Sequence, residues 1–105
     1  MNSFDDREHA FENKFAHDAE MQFKADARRN KLVGLWAAGL LGKVGDDAEA
    51  YAKEVVKADF EEAGHEDVYR KLFNDVGHLA DEATIRTKMA ECMKQAKTQV
   101  MNEVE

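Results

Sequence analysis

The chain has 105 residues, and 15 Lys and Arg stand against 22 Asp and Glu, which gives a formal net charge of −7. This length predicts one domain, the 44% hydrophobic content argues against global disorder, and the acidic balance disfavours nucleic acid as a partner because phosphate would repel it. The absence of proline leaves helices unbroken and predicts an all-α fold, whereas the single cysteine excludes an intrachain disulfide.

The first 18 residues carry three phenylalanines at helical spacing. Phe4, Phe11 and Phe15 fall within about 40° of one another on a helical wheel, and most of their neighbours are charged. Such a stripe either packs onto other helices as core or docks as an amphipathic helix into a groove of a partner, and the spacing alone favours neither. Because this stretch has little apolar surface of its own, we predict a mobile or weakly helical arm over 1–18.

Glycines divide the rest of the chain into segments with helical periodicity. We predict a four-helix bundle over 19–105, with helices at about 19–42, 47–63, 66–76 and 82–102. Asp46 and Glu49 have the spacing of a capping box, Gly77 suits a helix C-cap, and Asp81 suits an N-cap. The run 32–41 is apolar on every side, as in a helix enclosed by neighbours. The predicted core consists of Leu32, Leu35, Trp36, Leu40, Val55, Phe60, Leu72, Ile85 and Met89.

Motifs for catalysis or metal binding are not found in the sequence. The run ending in Gly42-Lys43 lacks the glycine that a phosphate-binding loop needs five residues earlier, and Val44 stands where Ser or Thr would hold magnesium. His9 and His17 are too far apart for a short metal-binding pair, so they are either pH-sensing groups or solvated side chains. Cys92 lies on an apolar stripe and is interpreted as a small buried hydrophobe. We expect neither an enzyme nor a bound metal or cofactor.

The sequence also bears on the compartment. The N-terminal residues are acidic, whereas a secretory signal needs a cationic start followed by an apolar stretch. The longest apolar run, 32–41, has about half the length of a membrane-spanning helix. We expect a cytoplasmic protein without direct membrane insertion.

Four cationic residues cluster near the start of the predicted bundle. Lys24, Arg28 and Lys31 share one helix face, and Arg29 lies beside them. This basic face is either a solvated surface or an electrostatic contact with an acidic protein surface, and the spacing leaves both open.

Several long runs resemble one protein family. FDDREHAFENKFAHD over 4–18 and ARRNKLVGLWAA over 27–38 are similar to the ζ-subunit inhibitor family of the F-type ATP synthases of α-proteobacteria. The runs AEAYAKEVVKADFEEAGHEDVYRKL over 48–72 and DEATIRTKM over 81–89 extend the resemblance over nearly the whole chain. It is weakest after Met89.

The resemblance implies a helical bundle that carries an N-terminal inhibitory arm. The arm inserts between catalytic subunits of the synthase head and wedges against the central rotor stalk, so that ATP hydrolysis is blocked and synthesis is much less affected. The implied partner is the catalytic head with its α, β and γ subunits. The implied location is cytoplasmic, peripheral on the inner membrane through the synthase, and we expect a monomer when the protein is free.

The resemblance also implies roles for individual residues. The apolar anchors of the arm would be Phe4, Phe11 and Phe15, and its polar contacts would be Asp5, Arg7, Glu8, Glu12 and Lys14. Lys24, Arg28, Arg29 and Lys31 would contact the outer head surface. The bundle around Trp36 would act as a stop that prevents the arm from threading too far.

Two other functions fit a small helical protein. A helical adaptor or assembly factor would bind the synthase or another complex without inhibiting it, and inhibition of ATP hydrolysis by the pure protein separates the two roles. A small-ligand-binding bundle would need a pocket among Trp36, Tyr51 and Tyr69, and nothing in their spacing requires one.

Overall fold

A computed structural model describes residues 19–59 and 66–104 of the chain, and over these residues the fold is all-α. Four helices follow one another in the described ranges: α1 spans Ala19–Leu40, α2 spans Gly45–Ala58, α3 spans Glu66–Val76 and α4 spans Glu82–Val104. The predicted all-α four-helix fold is therefore confirmed. The arm predicted over 1–18 lies outside the described residues, as does Phe60.

The turn between α1 and α2 depends on two glycines. Gly42 adopts a φ of +77°, its N–H bonds the carbonyl of Gly39 at 3.1 Å, and the N–H of Lys43 bonds the carbonyl of Ala38 at 2.9 Å. This pair of bonds is the Schellman motif, which ends a helix on a left-handed glycine. Gly45 follows with a φ of +57° at the start of α2. Helix α1 thus ends at Leu40, two residues before the predicted limit.

The helix caps agree with the sequence in part. Asp81 accepts a bond from the N–H of Thr84 at 2.8 Å, so the predicted N-cap of α4 is confirmed. The capping box predicted at Asp46 does not form, because α2 already begins at Gly45 and its N-cap is Val44, which makes no side-chain cap bond. Gly77 stands at the predicted C-cap position, because α3 ends at Val76, but it is not left-handed: only Gly42 and Gly45 have positive φ among the described glycines. The N–H of Gly77 instead bonds the carbonyl of Phe73 at 2.9 Å and continues the helical pattern.

Helix α1 lies centrally, packed against α2 and α4. Its approach to α2 is closest at Gly34, where an added methyl carbon would lie 2.9 Å from the Cα atom of Ala52. Contacts between the first half of α1 and the last turns of α4 show that these two helices are antiparallel. The main core is formed by Val33, Ala37, Ala38, Tyr51, Val55, Val68, Leu72, Val76, Ile85, Met89 and Cys92. A smaller cluster of Met21, Ala25 and Val100 lies near the start of α1, with Met93 and Met101 packed against it.

The residues predicted for the core divide into three groups. Val55, Leu72, Ile85 and Met89 are buried, whereas Leu32, Leu35 and Trp36 are half-buried. The expectation for Leu40 is wrong, because 39% of this residue is exposed at the last position of α1. Because α1 approaches its neighbours closely, its interface is filled by small residues. Alanine and glycine of α1 are therefore buried, while the larger leucine and tryptophan residues predicted for the core are only partly covered.

Candidate partner-binding surface

The predicted basic face is smaller than the sequence indicated. Lys24 pairs with Glu20 at 3.4 Å, and Lys31 lies 4.0 Å from Glu49, with about half of each lysine side chain exposed. Each of these cations therefore has a carboxylate nearby. Exposed pairs of this kind contribute little to stability, so the lysines can exchange their partners at low cost.

Arg28 is held by the far end of the chain. Its Nη1 atom donates to Oε1 of Gln99 at 2.8 Å, and its Nη2 atom lies 2.5 Å from Oε1 of Glu103. Both partners belong to the last turns of α4, next to the cluster around Met21 and Val100. The first half of α1 is therefore fixed onto the C-terminal part of α4.

Arg29 does not belong to the basic face, because only 3% of it is exposed. Its Nε atom donates to Oδ1 of Asn30 at 2.6 Å. Burial lowers the pKa of the guanidinium, and the carboxylates of Asp26 and Asp59 oppose this effect. Arginine nonetheless stays protonated at neutral pH, so its charge is buried. The role predicted for Arg29 at the outer surface is thus corrected to one inside the bundle.

A groove next to Arg29 was not predicted. It has a volume of about 200 Å³ and is formed by one face of α1 and the end of α2, with Phe23, Asp26, Ala27, Asn30, Val56 and Asp59 as its lining. Phe23 is 56% exposed, whereas Asn30 is 1% exposed. The Nδ2 atom of Asn30 is buried and has no hydrogen-bond partner within the described part of the chain. The groove thus combines apolar walls, two carboxylates and a buried donor.

One signal in the sequence pointed to this surface. Met21 and Ala25 belong to the buried stripe of α1, and Phe23 lies about 200° from each of them on the helical wheel. A large aromatic residue so far from the apolar stripe is either exposed or covered by a part of the protein other than the helices that pack on the stripe. The α2 half of the groove gave no comparable signal.

The three aromatic residues proposed for a ligand pocket have separate surroundings. Tyr51 is buried and its hydroxyl donates to Oδ2 of Asp75 at 2.8 Å; burial and this bond raise the pKa of the phenol. Arg86 lies 4.0 Å from the ring centre of Tyr69, and the Nζ atom of Lys88 lies 5.9 Å from that of Trp36. None of the three aromatic residues lines the groove.

The remaining predictions concern metal binding, the burial of Cys92 and membrane insertion. Among the described residues, no group of three or more His, Cys, Asp or Glu side chains could hold a metal ion. Cys92 is buried, and burial raises the pKa of its thiol. None of the described helices has the length and apolar character needed to cross a membrane. The predicted contact residues of the arm lie outside the described residues: Phe4, Asp5, Arg7, Glu8, Phe11, Glu12, Lys14 and Phe15.

The fold and this surface define a small all-α protein in which an 18-residue segment precedes the described helices. Residues 1–99 match the family described as ATPase inhibitor subunit zeta, and the chain belongs to this family. The resemblance found in the sequence is therefore confirmed. A solution NMR structure that is 63% identical covers 79% of this chain and 98% of its own, with a TM-score of 0.74. A comparison with curated proteins found no match.

Proposed function

We propose that this protein inhibits ATP hydrolysis by the F-type ATP synthase, with residues 1–18 as the inhibitory arm and the helical bundle as the part that stays outside. The observation that carries the proposal is the extent of the family match, which begins at residue 1 and includes both the aromatic arm and most of the bundle. The name of the family, ATPase inhibitor subunit zeta, supplies the activity.

The dimensions of the bundle support its role as a stop. The described residues extend over 44 × 27 × 25 Å, whereas a single α-helix with its side chains is about 10–12 Å wide. A cleft that admits one amphipathic helix is therefore too narrow for the bundle. The arm enters the head with Phe4, Phe11 and Phe15 as apolar anchors, and it advances until the bundle meets the outer surface.

The basic face contributes to the contact outside the cleft. Lys24 and Lys31 meet acidic groups of the head by exchanging their present partners, whereas Arg28 stays bonded to α4 beside them. Each exchanged surface pair contributes up to about 1 kcal/mol, so these residues adjust the affinity while the aromatic anchors dominate it.

The direction of inhibition follows from the position of the arm. Inserted at a catalytic interface of the α and β subunits and against the γ subunit, the arm stops the rotor in the hydrolysis direction and allows it to turn in the synthesis direction. The protein acts from the cytoplasm as a monomer, and the synthase alone brings it to the inner membrane.

Titration of the full chain into purified synthase from the same organism tests this function, with hydrolysis and synthesis followed separately. We expect loss of hydrolysis at concentrations that leave most of synthesis intact. Phe11→Ala and Phe15→Ala should each raise the half-inhibiting concentration roughly thirtyfold, as expected for a central aromatic anchor, and leave the thermal melt unchanged. Phe73→Ala is the matched control, since Phe73 is an aromatic residue 47% exposed on α3.

Three results would contradict the proposal. Equal loss of hydrolysis and synthesis would exclude one-way inhibition. Full inhibition by a chain that lacks 1–18 would exclude the arm as the inhibitory element. Binding to the synthase without any loss of hydrolysis would indicate the adaptor role instead.

A further inference from the structure

The start of α1, residues 19–28, is the part of the bundle that directly follows the arm, and we call it the root. It has a length of about 15 Å along the helix axis. Its buried residues are Met21 and Ala25, and both belong to the small cluster with Val100, not to the main core. The buried side chains of the root therefore pack in a contact that is separate from the one holding the rest of α1.

The end of α4 supplies the apolar half of this contact. It comes from residues 99–104, which we call the strap. Val100 is 1% exposed and packs in one cluster with Met21 and Ala25, while Met101 is half-buried against the same cluster. The strap thus removes apolar surface of the root from water, which favours the packed state of both segments.

The polar half of the contact is made by Arg28. Its Nη1 atom donates to Oε1 of Gln99 at 2.8 Å, and its Nη2 atom lies 2.5 Å from Oε1 of Glu103. On a helical wheel Arg28 lies within about 60° of Met21 and Ala25. The strap therefore covers one face of the root, from its first turn to its last residue.

The strap lies at the limit of the family match. Residues 1–99 match the family, so Val100 and Glu103, which make the apolar and the ionic contact, lie beyond the matched range. The strap thus belongs to the part of this chain to which the family match does not extend. Its role has to come from its contacts.

These contacts keep the root helical. A helix of about ten residues is marginal in water, because packing rather than propensity supplies most helical stability in proteins. Without the strap, the root would unfold for part of the time and act as a flexible linker with an r.m.s. length of about 17 Å. That length is comparable with the two smaller dimensions of the described bundle, 27 and 25 Å. The arm would then no longer start from a fixed point of the bundle.

We propose that the strap is a positioning element for the arm, an inference that rests on the proposed function. It holds the root as a rigid helix, so that the arm leaves the bundle at one point and in one direction. The bundle then meets its partner at a single depth of insertion. When only a fraction of the molecules have a helical root, the half-inhibiting concentration rises by the inverse of that fraction.

Two variants test the inference by titration into purified synthase. Deletion of 100–105 removes the apolar contact and the ion pair, whereas Val100→Ala removes only two methyl groups from the small cluster. The half-inhibiting concentration should rise about tenfold for the deletion and about threefold for Val100→Ala. These changes correspond to a helical root in about one tenth and about one third of the molecules. Val100→Ala keeps the inference testable if a thermal melt shows that the deletion does not fold.

Val76→Ala is the matched control for Val100→Ala. The two valines are 0% and 1% exposed, but Val76 belongs to the main core and not to the contact between root and strap. Val76→Ala should lower the thermal midpoint at least as much as Val100→Ala, because it leaves a cavity in the main core. At a temperature where both variants are folded, it should inhibit like the unmodified protein. Equal loss of inhibition in the two variants would indicate general stability and overturn the inference.

Amide hydrogen exchange in the free protein tests the strap without the synthase. The first four N–H groups of a helix have no partner within it, so the informative amides of the root are those of residues 23–28. Deletion of 100–105 should speed their exchange at least tenfold and leave that of residues 33–38, beside the main core, unchanged. Unchanged exchange at 23–28 would overturn the inference.

The outcomes separate this inference from the proposed function. If deletion of 1–18 abolishes inhibition while both strap variants inhibit like the unmodified protein, the strap does not position the arm and the proposed function stands. If deletion of 1–18 leaves inhibition intact, the proposed function is wrong. Faster exchange at 23–28 in the strap variants then distinguishes this failure from a failure of the strap to hold the root.

Discussion

The closest contact between α1 and α2 yields a prediction that stability measurements can check. An alanine at position 34 would place its methyl carbon 2.9 Å from the Cα atom of Ala52 and 3.3 Å from the Cβ atoms of Ala52 and Val55. The nearest of these atoms belongs to backbone and cannot rotate away, so α1 and α2 would have to separate. We therefore expect Gly34→Ala to destabilise the bundle.

The magnitude follows from two opposing contributions. Forcing an extra methyl group into a packed interface costs about 1–3 kcal/mol, and replacing glycine by alanine inside a helix recovers up to about 1 kcal/mol. Because the obstructing atom is backbone, the upper part of the cost applies, and the net loss is about 1–2 kcal/mol. For a domain of this size the midpoint of thermal unfolding should fall by about 4–16 °C.

Gly39→Ala is the matched control in the same helix, since nothing lies within 4 Å of the added methyl carbon. It should raise the midpoint slightly through helix propensity alone. Far-UV circular dichroism with thermal and urea unfolding measures both variants. A Gly34→Ala protein as stable as the unmodified one, or a loss of equal size for Gly39→Ala, would refute the close approach of α1 and α2.

Three further predictions concern single side chains. Tyr51→Phe should cost about 1 kcal/mol at neutral pH because the buried bond to Asp75 is lost. Burial alone would raise the pKa of Asp75, but bonds from Lys71 and Tyr51 outweigh burial and lower the pKa. The stability difference between Tyr51→Phe and the unmodified protein should therefore vanish as the pH falls through this lowered pKa. Urea unfolding at several pH values measures this difference. Asp81→Ala should lower the thermal midpoint of unfolding by several degrees, whereas Asp81→Asn, which keeps a cap, should lower it less. Cys92, buried and with a raised pKa, should react slowly with a thiol reagent in the folded protein and quickly in denaturant, and fast reaction without denaturant would contradict its burial.

The part of the fold that the sequence predicted well is the part that depends on local periodicity. In α3 the spacing places Val68, Leu72, Phe73 and Val76 on one face. The first, second and fourth of these are buried in the main core, whereas Phe73 is 47% exposed. The N-cap at Asp81 is equally local, since donor and acceptor lie three residues apart. Patterns of this kind can be read from neighbouring residues without knowing the rest of the fold.

The wrong predictions concern residues whose burial depends on packing between segments that are distant in sequence. Arg29 lies four residues after Ala25 and eight after Met21, on the same buried face of α1, but its charge suggested an exposed position. Only the fold shows that the carboxylate of Asp59 comes near its guanidinium. Leu40 is apolar but 39% exposed, whereas Leu41, next to it in the chain, packs against the main core. For the same reason the groove was missed, because α1 and α2 contribute its two walls and no single stretch of sequence contains both.

The continuity of α1 has a mechanical consequence. This helix has 22 residues, a length of about 33 Å, and it runs through both the small cluster near its start and the main core. A pull applied to Ala19 along the axis of α1 loads the contacts of this helix with α2 and α4 in shear, so that these contacts break together. A sideways pull would instead peel away the small cluster around Met21 and Val100 first, one contact after another. The contacts of α1 therefore resist tension along its axis better than a sideways pull at its first turn.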